Sequence, residues 1–127
     1  MICWAIQVAL LFSDSCTIAL TSFISPYRID RASARALHEA RNIPFLEIYV
    51  HVPLDVAEAR DPKGLYAKAR RGEIKDFTGV SAPYEEPEGA EVVISSGEES
   101  VEDAVVRLVK VLEEKGLLGK DEGAGTV

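Results

Sequence analysis

Phe45-Leu46-Glu47-Ile48-Tyr49-Val50-His51-Val52, followed at once by Pro53, is the stretch that decides the fold class. Leu46, Ile48, Val50 and Val52 alternate with Glu47, Tyr49 and His51, the period of two expected of a strand with one face on a core. Upstream, Asp30 can cap a helix over Arg31 to Arg41, with Ala34, Leu37 and Ala40 spaced to face that core. Asn42 and Pro44 stop this helix. Further back, Thr17 to Phe23 is short, β-branched and largely apolar, as a strand covered on both faces is. Cys3 to Ser15 reads as a buried helix.

Downstream of the central strand, Leu54 to Ala59 is a short helix. Asp61-Pro62 starts another, because Asp caps and Pro is tolerated in a first helical turn, and Gly72 ends it. Turn residues fill Gly79 to Gly89, and Glu91 to Ile94 is a short strand. Ser100 and Asp103 have capping-box-like spacing. They open a helix whose Ala104, Val105, Leu108, Val111 and Leu112 recur at helical period, closed by Gly116. Lys120 to Val127 is a small, polar, flexible tail. Strands alternating with helices predict an α/β domain over residues 1–119, three-layer α/β/α with a parallel sheet. Ligands of such sheets sit beyond the C-terminal strand ends. Three loops are placed there: Ser25-Pro26-Tyr27-Arg28, Pro53 onward, and Ser95-Ser96-Gly97. Strand positions are assigned to the core.

The 127 residues are 47% apolar and 28% charged, the balance of a folded single domain. A net charge of −7 excludes a general nucleic-acid binder. Cys3 and Cys16 are too few and too loosely spaced for a zinc site or a disulfide framework, so reduced thiols in a cytoplasmic protein are expected. Met1 to Phe12 is apolar apart from Gln7, but the first basic residue is Arg28 and Asp14 follows the run directly. That is neither a signal peptide nor, against the roughly 20 residues a bilayer needs, a membrane span.

Residues 60–79 stand apart from this acidic background. Arg60, Lys63, Lys68, Arg70, Arg71 and Lys75 against Asp61, Glu73 and Asp76 leave a local balance of +3, and the remainder of the chain sums to −10. A basic island in an acidic protein collects anions. Gly64, Gly72 and Gly79 punctuate it, with Tyr66 and Phe77 between the charges, which suits a segment closing over a flat, charged ligand such as a nucleotide. A solvated helix and turn is the competing reading. His38 is read as helix surface and His51 as a strand residue, without metal-like spacing. Glu85, Glu86, Glu88 and Glu91 read as a solvated acidic loop.

Four segments, in order and spacing, resemble the adenylylsulfate kinase family. Thr21-Ser22-Phe23-Ile24-Ser25-Pro26-Tyr27 with Asp30-Arg31 is similar to its strand-to-loop segment. Val52-Pro53-Leu54 with Glu58-Ala59-Arg60-Asp61 resembles the approach to its lid. Lys63-Gly64-Leu65-Tyr66, Lys68-Ala69-Arg70 and Gly72-Glu73-Ile74-Lys75 resemble the lid itself. Phe77-Thr78-Gly79, with Pro83-Tyr84-Glu85 and Pro87, resembles the substrate loop. The resemblance implies a P-loop nucleoside-triphosphate hydrolase-like kinase fold, and transfer of the γ-phosphate of Mg-ATP to the 3′-hydroxyl of adenylyl sulfate in sulfate assimilation. No G-x-x-x-x-G-K-[ST] occurs in the chain, which therefore resembles the C-terminal portion of the family, N-terminally truncated, without the phosphate-loop and Mg²⁺ ligands.

By the same resemblance Ile24, Ser25, Lys63, Asp76 and Phe77 contact adenylyl sulfate, Asp76 through its backbone and Phe77 by stacking on adenine. Ser25 also occupies the family's phosphoserine position, and Arg60 that of a lid arginine near ATP. Other readings stay open. Ser25 completes a Ser-Pro turn, Lys63 is an exposed lysine, Phe77 is core, and Arg60 pairs with Asp61 or Glu58. A truncated sheet exposes apolar surface, which favours a homodimer or association with a full-length kinase. The alternative function is accordingly a non-catalytic nucleotide-binding or kinase-associated regulatory module.

Overall fold

The structure, a computed structural model, describes residues 2–118, with side chains from Trp4 onward. In chain order the elements are α1 (Ile2–Asp14), α2 (Arg28–Glu39), β1 (Ile48–His51), α3 (Leu54–Arg60), α4 (Leu65–Arg70), β2 (Val92–Ser95) and α5 (Val101–Glu114). Strands β1 and β2 pair in parallel, Ile48 opposite Val92 and His51 opposite Ser95. In this register the even-numbered residues of both strands share one face and the odd-numbered ones the other.

Each face meets a helix. Val92 and Ile94 are buried with Ala104 of α5, and Leu108 and Val111 pack on that cluster. On the opposite face α2 sends Arg31 to Glu47 and Arg35 to Glu91. This is the expected α/β/α layering, built among the described residues on two strands. The predicted strand over Thr17–Phe23 does not form; residues 17–27 are irregular. No backbone hydrogen bond runs to or from 18–24 among the described residues. A strand is completed by a neighbouring ladder, and here no described segment supplies one.

The exposed surface follows from the same gap. Ile48 and Val50 lie on the α5 side, yet Val50 is 59% exposed because α5 covers only β2. Assigning every apolar strand position to the core is therefore wrong for β1. The expectation of a buried first helix also fails: Leu10 is 2% exposed, but Trp4, Val8, Leu11 and Phe12 face solvent. Helix α1 packs on α2, and an open apolar cleft of about 530 Å³ runs between α1 and residues 17–21. No helix among the described residues is long and apolar enough to cross a membrane.

Local signals fare better. Ser100 Oγ accepts the Asp103 amide at 3.1 Å, so the predicted cap of α5 is present, and Gly116 at φ 67° closes the helix. Asn42, at φ 55°, ends α2 as expected. The start of α2 differs. It begins at Arg28, placing Asp30 in the first turn rather than at the cap. His38, read as helix surface, is instead buried: its Nδ1 lies 2.9 Å from the Ala34 carbonyl and its ring 5.3 Å from that of Phe45. Cys16 is a free, exposed thiol. The tail over 120–127 lies outside the described residues.

Candidate functional site

The basic island folds as a turn, the six-residue α4 and a second turn. Asp61 organises the first part. Its carboxylate accepts the amides of Tyr66 (3.1 Å) and Ala67 (3.0 Å), capping α4 across the Pro62–Gly64 turn. Desolvation works against the ionised Asp61, but the amides of Ala67, Tyr66 and Leu65 outweigh it and hold the carboxyl below its ordinary value. The second part is a tight turn. Gly79 donates to the Ala82 carbonyl at 2.8 Å, and the Phe77 amide donates to Ser81 Oγ at 2.9 Å. A Cβ at Gly79 would stand 3.2 Å from Leu54 Cδ1, so this turn is seated against the start of α3.

The six cations of this segment divide into two sets. Arg60 donates through Nη2 to the Ser96 carbonyl at 2.9 Å, tying the base of the lid to the loop after β2. The alternative pairing of Arg60 with Asp61 or Glu58 is not made, since Glu58 binds Arg70 and Asp61 caps α4. Arg71 pairs with Glu73 at 2.5 Å. That bond, ahead of desolvation, holds the Glu73 carboxyl below its ordinary value. Lys63, Lys68 and Lys75 have no side-chain partner among the described residues. In the same segment Phe77, half-buried, meets Tyr66 edge to face at 5.1 Å. Asp76, just before it, takes the left-handed backbone at φ 53° and presents its side chain to solvent.

Ile24 and Ser25 lie at the first of the three predicted loops. Ile24 is exposed and Ser25 half-buried. Ser25 has φ 37°, a region that costs a non-glycine residue about 1–3 kcal/mol and persists only where neighbours hold it. Its carbonyl accepts Arg31 Nη1 at 2.5 Å. No described hydrogen bond, ion pair or ring contact joins Ile24 or Ser25 directly to Lys63 or Phe77. None of these predicted residues lines the cleft under α1.

The Ser25 loop is tied instead to residues 85–88, which the sequence reading took for a solvated acidic loop. Glu85 donates its amide to the Pro26 carbonyl at 2.8 Å and accepts the Arg28 amide on Oε2 at 2.7 Å. Arg28 donates to the Glu86 carbonyl at 2.7 Å and pairs with Glu88 at 2.5 Å. Arg35 grips Glu91 with two bonds of 2.7 and 2.8 Å. Desolvation opposes ionisation of Glu91, yet these bonds and the Glu47 amide bring its pKa below the ordinary value. The acidic loop is thus not simply solvated: Glu88 and Glu91 are paired by α2. The missed signal was complementarity. Arg28, Arg31 and Arg35 fall on one helical face, and a comparable run of acids follows the lid.

Aromatic rings fill the centre of this junction. Tyr49 and Tyr84 stack at 6.0 Å, and the Tyr49 hydroxyl lies 3.0 Å from His51 Nδ1. Desolvation, reinforced by Glu86, raises both phenols above their ordinary pKa, with Arg31 opposing. They stay protonated at neutral pH.

Among the described residues no three His, Cys, Asp or Glu side chains cluster as metal ligands, and the sequence holds no G-x-x-x-x-G-K-[ST].

The chain is similar to known proteins in sequence and in structure. Residues 3–95 match the family model for adenylylsulphate kinase. The chain is 56% identical to the adenylyl-sulfate kinase of Penicillium chrysogenum, over 88% of its own length and 56% of that protein's. It is 51% identical to the Saccharomyces cerevisiae enzyme, over 90% and 56% respectively. The structure superposes on Mycobacterium tuberculosis APS kinase in complex with AMPPNP and APS with a TM-score of 0.79 and 38% identity, covering 85% of this chain and 62% of that one. The chain thus spans little more than half the length of its curated relatives, and on the match of the family model it belongs to the adenylylsulphate kinase family.

Proposed function

We propose that this chain serves adenylylsulfate kinase chemistry, with adenylyl sulfate as phosphoryl acceptor and ATP as donor, and that these residues carry the acceptor half of the site. The observation that carries the reading is the division of the lid cations. Arg60, Arg70 and Arg71 are spent on internal partners, which leaves Lys63, Lys68 and Lys75 uncommitted in the same segment as the Tyr66–Phe77 pair. Uncommitted ammonium groups and an aromatic pair on one short segment suit a nucleotide bearing a sulfate–phosphate anhydride. Ile24 and Ser25 form the other wall. Asp76 fixes the backbone ahead of Phe77, and Arg60 anchors the lid at the strand end. With no fitting donor cradle here, no transfer step is assigned to these residues, and the isolated chain is expected to be inactive or nearly so.

Calorimetric titration with adenylyl sulfate tests the reading. Phe77→Ala should weaken binding by about 1–3 kcal/mol, roughly 5- to 150-fold in Kd, and Lys63→Ala should weaken it in the same direction. Unchanged affinity in both variants sinks the assignment. The exposed apolar face of α1 and residues 18–24 favours a second reading, a non-catalytic module that binds a full-length kinase as a regulator or forms a homodimer. Co-elution with such a kinase, together with a changed rate of phosphoadenylyl sulfate formation, supports it. Separate elution with an unchanged rate removes it.

A further inference from the structure

Arg31 makes contact with three segments that are far apart in sequence. Its Nη1 donates to the Ser25 carbonyl at 2.5 Å and its Nη2 to the Glu85 carbonyl at 2.6 Å. Its Nε lies 2.7 Å from Glu47 Oε1, an ion-pair contact without hydrogen-bond geometry. The guanidinium also lies 5.7 Å from the centre of the Tyr84 ring. With 10% of its side chain exposed, Arg31 is the least exposed cation in any ion pair among the described residues, and nearby Glu47 balances its charge. A planar fork reaching two carbonyls at once is something lysine cannot reproduce.

The two carbonyls belong to the two walls of the acceptor site. Ser25 sits at its left-handed turn, and Glu85 stands three residues beyond the Phe77–Ala82 turn. The Glu85 amide to the Pro26 carbonyl and the Arg28 amide to the Glu85 carboxylate complete a reciprocal tie around the same fork. We propose that Arg31 is a positioning residue that locks the Ser25 turn to the Tyr84–Glu88 segment, so that the walls holding adenylyl sulfate open and close as one unit. This rests on the acceptor-site reading for its ligand but not for its mechanics.

Hydrogen exchange and titration on the whole chain test it together. In the wild type the amides of Arg28 and Glu85 should open with the same free energy. Arg31→Lys, which keeps the charge beside Glu47 but loses the fork, should reduce protection of both amides and weaken adenylyl sulfate binding, each about tenfold. Arg41→Lys, exposed in the turn after α2, should leave both unchanged. Unequal opening in the wild type overturns the proposal even if Arg31→Lys does not fold. Unchanged protection in Arg31→Lys, or lost protection with unaltered affinity, overturns it as well. If the wild type does not bind adenylyl sulfate, the acceptor-site reading falls, and the amide measurements still decide whether the lock exists.

Discussion

The two ends of this molecule solve the problem of burial differently. Around α2, β1, β2 and residues 84–91, charged groups are matched. Arg28 meets Glu88, Arg31 meets Glu47, and Arg35 meets Glu91. Across α1 and residues 18–24 the surface is apolar and uncovered: Trp4 is 76% and Leu20 91% exposed. The first region is organised by its own chain. The second presents an apolar area of a kind that soluble monomers rarely leave contiguous. The contrast separates a region of matched charges from a region of uncovered apolar side chains, and measurements can sharpen it or erase it.

The largest effect belongs to the organised region. Ile94→Ala empties a side chain shared by β2 and α5 and should cost about 2–5 kcal/mol in urea unfolding. A loss below about 1 kcal/mol would mean that this cluster is not the core.

The acid limb of stability comes next. Glu91 has a lowered pKa, so its contribution is present above pH 4.5, its ordinary value, and is lost as pH falls through the lower folded value. Glu91→Gln should therefore lower Tm near neutrality, with the gap to wild type closing as the pH drops below that point. A gap that holds steady down to strongly acidic pH contradicts the pairing with Arg35.

The smallest effect lies on the uncovered face. Leu20→Ser should change unfolding free energy by no more than about 0.5 kcal/mol, while lowering dye binding and concentration-dependent light scattering. A marked destabilisation would show that Leu20 is covered after all, and the contrast between the two regions would vanish.

Legibility in the sequence follows the same division. Helix ends were readable because Ser100 reaches Asp103 and Asn42 adopts a left-handed turn within its own segment. The helical turn within residues 60–79 was readable because Asp61 caps α4 from a few residues away. The Thr17–Phe23 segment was misread because β-branched, apolar composition signals a strand only when a partner is available. His38 was misread because one polar residue on an amphipathic helix does not reveal that Phe45 folds back against it.

The sequence by itself determined the alternation of helices and strands, the caps, and a cation-rich lid with its aromatic residues. These depend on interactions over a few residues, where composition and spacing suffice. Only the tertiary structure decided which cations are spent and which apolar faces stay bare. Arg28 and Glu88 are 60 positions apart, and Arg31 and Glu85 are 54. The path of the chain through the parallel crossover brings such groups together. No local preference of either residue encodes the meeting, so the lock on the candidate site became visible only in three dimensions.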